Sequence, residues 1–494
     1  METNRQALNR VVVVSNRLPI TRPHERLAEV PAGGLASAIL GALHGMRSLW
    51  FGWNGAVKSR SEDATLSTHQ IDNIEFVGLP LTQAEHRDYY SGFCNQVLWP
   101  LCHCFQGKVQ VKLTDEERYR SVQDRFARAI LPQLRAGDIL WVHDFHLLLL
   151  GKALRRLGWP GPIGFFLHVP FPPHELWEIL PDPRGFLDAM IDYDVVGFHV
   201  HSFLDNYRSC CKRHLGADWD GSILSVGTRR QKVGVYALGI DPNEFRPSDD
   251  LLGRTRNRGE LARVVRGRKL VLGVDRLDYT KGIPERLLAF EQFLIHHTEW
   301  RRKVSLIQIA APSRTAALQY RDLKARVESV LGRVNAELAD HDWVPVRYLY
   351  RSYPRKQLAR FYREAAVGLV TPLRDGMNLV AKEFIAAQRQ ASPGVLVLSR
   401  TAGAAEELPE AVLVNPYVPS EVAEGIALAL SMPVEERRER HAAQLRRIME
   451  RTASDWADEF LADVSGAAAS LRRDALLQPA EPSEDERPVL VRRE

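Results

Sequence analysis

Short apolar runs rich in Val, Ile and Leu recur along the chain, at 11–14, 139–142, 163–167, 195–198, 270–273, 304–309, 367–371 and 395–398. They are too short for helices and are continuous rather than alternating, a pattern that predicts strands covered on both faces. Between them lie longer stretches with helical spacing, such as 115–134 and 284–296. Together these predict an α/β fold with doubly wound domains that gather ligands at the carboxyl ends of their strands. The run at 233–239 closes a first block. Asp241-Pro242 and the polar segment 246–268 then precede a fresh strand at 270. The expected domains are therefore 1–243 and 244–454. From about 435 the chain is charged and helical, with Trp456, Phe460 and Leu461 on one apolar face, and the Pro- and charge-rich tail 479–494 is expected to be disordered.

A length of 494 residues exceeds what one core usually organises, which agrees with two domains. Lys and Arg number 66 against 61 Asp and Glu, interspersed along the chain, so a nucleic-acid partner is not expected, whereas small anionic substrates fit. Five clustered cysteines are too few and too odd in number for a disulfide framework. No apolar stretch approaches the eighteen or so residues needed to cross a bilayer, and the amino terminus lacks a secretion signal. These readings predict a soluble cytoplasmic protein with no membrane partner. The oligomeric state is open, with a homo-oligomer among the options. Cys102-His103-Cys104 has its ligands too close together for a zinc knuckle, and no second cysteine pair follows. No metal and no cofactor are expected.

The candidate chemistry follows the strands. Ser15-Asn16-Arg17 ends the first, and a loop then reaches Gly33-Gly34 at a helix start, where free N–H groups attract anions; a plain turn explains the same glycines. This is not the dinucleotide GxGxxG pattern, which argues against a nicotinamide enzyme. After the strand at 270–273 come Arg276 and Lys281 with Gly282, a pair suited to a diphosphate or, on an ordinary loop, simply solvated. After 367–371 comes Pro372-Leu373-Arg374-Asp375-Gly376-Met377-Asn378-Leu379-Val380-Ala381-Lys382-Glu383. Its backbone amides suit phosphate or hydroxyls, Asp375 suits a sugar or a helix cap, and Glu383 suits a ribose diol. His143, Asp144, His146 and His168 stand at strand ends, where buried, hydrogen-bonded histidine is the commoner explanation.

The series VSNR, AGGL, WFGW, LWP, HDFHLL, FFLHVPFP, VDRLDYTKG, APSR, PLRDGMNLVAKE and NPY resembles the trehalose-6-phosphate synthases, retaining enzymes of glycosyltransferase family 20. The resemblance spans about 10–465. It implies a B-type glycosyltransferase fold, two Rossmann-like domains facing a cleft with a carboxy-terminal helix, about 455–475, crossing back to the first. It implies a nucleotide-glucose donor, UDP-glucose first among UDP-, GDP- and ADP-glucose, and glucose 6-phosphate as acceptor. On the donor side it implies Arg276 and Lys281 on the diphosphate and Gly34 near it, with the loop residues Gly376, Met377, Asn378, Leu379 and Val380 assisting. It also implies Glu383 on the ribose, Asp375 on the glucose hydroxyls and His168 on the glucose 6-hydroxyl. On the acceptor side it implies Arg17, Tyr90 and Arg314 on the phosphate, with Trp53, Trp99 and Asp144 on the ring. Catalysis would rest on Arg276, Lys281, Asp375 and His168, by front-face attack without an enzyme nucleophile. The alternatives are a related glucosyltransferase with another donor base or acceptor, such as glycerol 3-phosphate, and a non-catalytic regulatory subunit.

Overall fold

The computed structural model describes residues 10–19, 34–59, 65–246, 267–314 and 318–477. The predicted tail 479–494 and most of the linker 246–268 lie outside these residues. A ten-stranded sheet contains β1 (Val11–Arg17), β2 (Ser48–Lys58), β3 (Ser67–Ile71), β4 (Ile74–Thr82), β5 (Ile139–His143), β6 (Ile163–Phe166), β7 (Val195–Phe198), β8 (Asp218–Asp220), β9 (Ile223–Val226) and β10 (Arg229–Val235). A six-stranded sheet contains β11 (Lys269–Arg276), β12 (Val304–Ala311), β13 (Val346–Leu349), β14 (Val367–Val370), β15 (Val395–Ser399) and β16 (Val412–Val414). Five of the helices bear on the site: α1 (Gly34–Ala42), α2 (Leu113–Ile130), α3 (Ile283–His296), α4 (Leu379–Ala387) and α5 (Ala453–Leu477).

The first sheet runs β3-β4-β2-β1-β5-β6-β7-β10-β9-β8 and the second β13-β12-β11-β14-β15-β16. All six strands of the second are parallel to their neighbours, and the four valines at 11–14 and the run at 270–274 are buried. Burial on both faces is why these strands read as continuous apolar runs. Strand order reverses between β1 and β5 in one sheet and between β11 and β14 in the other. In open α/β sheets such a reversal leaves a crevice at the strands' carboxyl ends, so the topology itself marks two neighbouring ligand sites.

Several elements differ from the sequence reading. β2 and β4 were not predicted, because glycines and aromatics break their apolar runs; they pair in parallel from Ser48↔Ile74 onward. The strand expected at 270–273 continues through Arg276, still paired with Ala311, so Arg276 stands on a strand end rather than a loop. The helix expected at 115–134 is α2 followed by a short 3-10 turn at Leu131–Gln133.

Helix α5 packs across the first sheet, carrying Trp456, Phe460, Leu461 and Val464 into a cluster with Val11, Val13, Trp141 and Phe166. Gly164 and Gly197 make room for it. A Cβ on Gly197 would lie 2.8 Å from the Phe460 ring, and one on Gly164 would meet Val464. A bond from the Tyr236 hydroxyl to Asp463 (2.7 Å) and an ion pair from Lys232 to the same carboxylate (2.6 Å) pin the helix.

Candidate functional site

At the carboxyl end of β1 the register slips between Val14 and Arg17, so Arg17 lies beside Trp53 of β2. Such a bulge re-aims a side chain, and here the exposed Arg17 guanidinium sits 5.2 Å from the centre of the Trp53 ring. Tyr90 joins them, 5.4 Å from Trp53 and 6.2 Å from His146 between ring centres. Tyr90 stands on a π-helical segment, Glu85–Leu98, in which the preceding Tyr89 is anchored by its hydroxyl to Asn16 (2.7 Å). π-helical geometry is rare and concentrates at functional sites. It delivers Trp99, whose amide donates five residues back to Cys94.

Asp144 follows β5 with φ +75°, an uncommon conformation for a residue with a side chain. Its carboxylate accepts from the His168 amide (3.3 Å), and burial pushes its pKa up to about 6 against the pull of the Phe145 and His168 amides, Arg276 and Arg314. Burial also keeps the surrounding imidazoles neutral: His103 is held down to about 4, and His143, His146 and His199 to about 3. His168 is likewise pushed down, by burial and by His143 and His199.

The second sheet supplies charge. Arg276 ends β11, and Lys281 closes a 3-10 turn before Gly282, whose φ of +63° starts α3. A Cβ on Gly282 would lie 2.9 Å from the Thr371 carbonyl, which requires glycine here on two counts. The Lys281 ammonium is ion-paired with Asp375, in the loop between β14 and α4. Asp375 also accepts from the Asn378 side chain (2.9 Å) and the Gly376 amide (3.0 Å), and despite burial the Lys281 charge holds its pKa down. Asp375 does not cap α4; the residue at that position is Asn378, with φ +77° and no capping bond. Gly376 lies against the His168 carbonyl of the first half, where any Cβ would clash. Met377 is buried beneath the loop. Leu379 and Val380 open α4, with their amides among the unpaired N–H groups of its first turn.

Arg314 bridges the two walls. Its guanidinium lies 4.3 Å from the centre of the Trp99 ring, with Arg276 at 5.8 Å from the same ring. Behind it, Arg314 bonds to the Tyr320 hydroxyl and lies 3.5 Å from Asp278, and Tyr320 donates to Asp278 (3.0 Å). Asp278 is fully buried, and Arg314, Arg276 and Lys281 together hold its carboxyl below the usual range despite that burial. Asp278 is thus the shared counter-ion of three cations. Its sequence signal was present in VDRLDYTKG, but Tyr320 lies 42 residues away and nothing local points to it.

Glu383 is buried, accepts from the Tyr362 hydroxyl (2.8 Å), and has its pKa raised by burial. One carboxylate oxygen remains for another donor. It lines a cavity of about 270 Å³ with Ser37 and Gly41 of α1, Leu379, Arg355 and Glu244. Gly34 opens α1, and the loop before it lies outside the described residues. The expected residues therefore converge on one cleft: Arg17, Trp53, Tyr90, Trp99, Asp144 and His168 from one sheet, Arg276, Lys281, Arg314, Asp375 and the α4 amino terminus from the other.

Cys102 and His103 are buried, with the His103 Nδ1 2.8 Å from the Trp99 carbonyl. Among the described residues the side chains close enough to share a metal ion are Asp340, His341 and Asp342, an exposed trio already engaged by Arg302 and Arg268. No helix among the described residues is long and apolar enough to cross a membrane.

Residues 9–466 match the profile of Glycosyltransferase family 20. A trehalose-6-phosphate synthase of Sinorhizobium fredii is 40% identical over 463 residues, covering 93% of this chain and 99% of the relative. A crystal structure of an alpha,alpha-trehalose-phosphate synthase (UDP-forming) from Burkholderia xenovorans in complex with glucose-6-phosphate superposes with a TM-score of 0.88 at 38% identity, over 92% of this chain and all of that one. The trehalose-6-phosphate enzyme of E. coli bound with UDP-2-fluoro glucose superposes with a TM-score of 0.86 at 38% identity, over 92% and 99%. The two-sheet architecture is that of the B-type glycosyltransferases, and the chain belongs to glycosyltransferase family 20.

Proposed function

We propose that this enzyme is a trehalose-6-phosphate synthase that transfers glucose from UDP-glucose to the C1 hydroxyl of glucose 6-phosphate with retention of configuration. Near-full-length identity of 40% to a trehalose-6-phosphate synthase supports the reaction class. The observation that carries the reading is the pairing of two cation sets across one cleft: Arg276 and Lys281 at the second sheet's switch point, Arg17 at the first, with Arg314 reaching over Trp99 between them. One set suits a diphosphate and the other a phosphomonoester on a sugar.

In this reading Lys281 exchanges Asp375 for the diphosphate when donor binds, which frees the Asp375 carboxylate for glucose hydroxyls. Arg276, Lys281 and the Leu379 and Val380 amides stabilise the charge that develops as the C1–phosphate oxygen bond breaks. The acceptor oxygen bonds to the same face of C1, and its proton passes to the departing phosphate oxygen. Arg17, Tyr90 and Arg314 hold the acceptor phosphate, while Trp53, Trp99 and Asp144 orient its ring. Glu383 takes the ribose and His168 the glucose 6-hydroxyl.

Nucleotide release is measured from UDP-, GDP- and ADP-glucose with glucose 6-phosphate, with glycerol 3-phosphate and with no acceptor. Rapid release of UDP only with glucose 6-phosphate is expected. Preference for another base or acceptor corrects the substrate, and no acceptor-dependent release from any donor overturns the enzymatic reading.

A further inference from the structure

At the cleft wall three histidines lie side by side: His143 at the end of β5 and His199 after β7, both buried, and His168 after β6, half-buried between them. Their ring centres are 5.2 Å apart between His143 and His168 and 5.3 Å between His168 and His199. The proposed reaction uses His168 alone. We infer that His143 is a positioning residue that fixes the tautomer of His168, placing the His168 proton on the nitrogen left for the ligand, so that His168 donates a hydrogen bond into the cleft. The inference rests on the reading that His168 meets the donor's sugar.

His143 Nδ1 lies 2.9 Å from His168 Nε2. Burial holds both rings neutral, so each carries one proton, and one of the two facing nitrogens donates while the other accepts. The choice is decided on the far side of His143. Its Nε2 is buried with no hydrogen-bond partner among the described residues. Around the ring pack Trp141, 4.6 Å away between centres, and Trp456 of α5, 6.3 Å away. Indoles only donate, and the N–H groups of both tryptophans are themselves buried without a partner. A proton on His143 Nε2 would add a third unpaired N–H to this pocket. A bare lone pair there costs less, because orphaned buried N–H groups are the rarer defect. The His143 proton therefore sits on Nδ1 and is donated to His168 Nε2. The His168 proton is then on Nδ1, a buried atom with no partner among the described residues, and in the proposed reaction this N–H meets the sugar hydroxyl.

His199 does not compete for this proton, since its own interaction is with the His168 backbone carbonyl. That carbonyl faces Gly376 of the second half, which keeps the His168 ring beside the loop leading into α4. The crossover helix thus acts on the cleft through Trp456 and His143. An N–H fixed in this way obliges the sugar hydroxyl to accept.

The first test reads the native full-length protein. With 15N-labelled histidine and assignment by a His168→Gln variant, His168 is expected to show a protonated Nδ1 and a bare Nε2; the opposite tautomer overturns the inference. The second compares His143→Asn, whose amide can donate from the Nδ1 position, with His143→Phe, which cannot. The kcat with UDP-glucose is expected to fall about tenfold in His143→Phe and less than about threefold in His143→Asn, with KM for glucose 6-phosphate unchanged in both. Equal losses in the two variants overturn the inference. A 6-deoxy donor tests the sugar contact of His168 separately from its tautomer. If native enzyme turns it over as fast as UDP-glucose, the sugar contact of His168 is wrong, while the tautomer of His168 still judges the role of His143.

Discussion

The two walls of the cleft meet the same problem, the handling of phosphate, by different means. The second sheet holds most of its charges already paired, Lys281 with Asp375, Arg314 and Tyr320 with Asp278, Arg286 with Asp275 and Lys382 with Glu407, and leaves Arg276 exposed at the end of β11. The first sheet builds its wall from aromatic rings and neutral histidines, buried or half-buried, with Arg17 exposed at its edge. Paired charge can be exchanged for a ligand's charge without leaving a buried ion bare. Neutral rings cannot do that, but they fix the position and polarity of uncharged hydroxyls. The contrast teaches that the half facing the proposed leaving group is electrostatically preset, and the other half is sterically preset.

The largest effect expected from this difference is on acid stability. His103, His143, His146, His168 and His199 all belong to the first half, and their folded pKa values lie below that of a free imidazole. Unfolded chains bind more protons below pH 6.5, so the stability these groups confer is complete above that pH and declines as pH falls toward 3 to 4. His103, His143, His146 and His199 each contribute a loss of about 1 kcal/mol between pH 6 and 5, and Asp144, raised to about 6, offsets roughly one of them, for a net loss of roughly 3 kcal/mol to which His168 adds in the same direction. In the second half Asp278 and Asp375 are held low, so their contribution is lost only below pH 3.8. Hydrogen exchange at pH 5 against pH 7 should show the first sheet opening before the second. The reverse order would break the comparison.

Next in size is the loss of a preset cation. Arg276→Ala and Lys281→Ala should each lower kcat by at least about 100-fold, the scale of about 3 kcal/mol for one lost oxyanion-stabilising donor, in protein whose circular dichroism shows it folded. Lys281→Ala also leaves Asp375 buried without its counter-ion, so its stability should recover in part in the double variant with Asp375→Asn, measured by denaturant titration. Near-normal turnover in folded Lys281→Ala would remove the electrostatic half of the contrast.

The smallest effect sharpens the position of Arg314. Tyr320→Phe removes a hydroxyl that both donates to Asp278 and accepts from Arg314. Michaelis constants should show a rise of about tenfold for glucose 6-phosphate and little change for the donor. Equal rises for both substrates would mean that Asp278 and Tyr320 serve the whole cation cluster rather than Arg314.

Much of this was readable from the chain. The valines at 11–14 and the run at 270–274 announce buried parallel strands, and the polar loops after them carry the residues that converge on the cleft. Periodicity misses β2 because Trp50, Gly52, Trp53 and Gly55 interrupt any simple apolar run, and β4 because Glu75, Gly78 and Pro80 do the same. Periodicity cannot tell where a strand's pairing stops, so it puts Arg276 on a loop, one element away from its position at the end of β11.

By itself the sequence determined the fold class, the family and the identity of the residues that gather at the two switch points, since burial pattern and motif order are local properties. Only the tertiary structure decided which of those residues hold one another. The Lys281 pair with Asp375 spans 94 positions, the contact of His143 with His168 spans 25, and Arg314 meets Trp99 across the two halves. Such partnerships arise from the order of strands in the sheets and the way the two sheets face each other, and a one-dimensional pattern of polar and apolar residues carries no record of either.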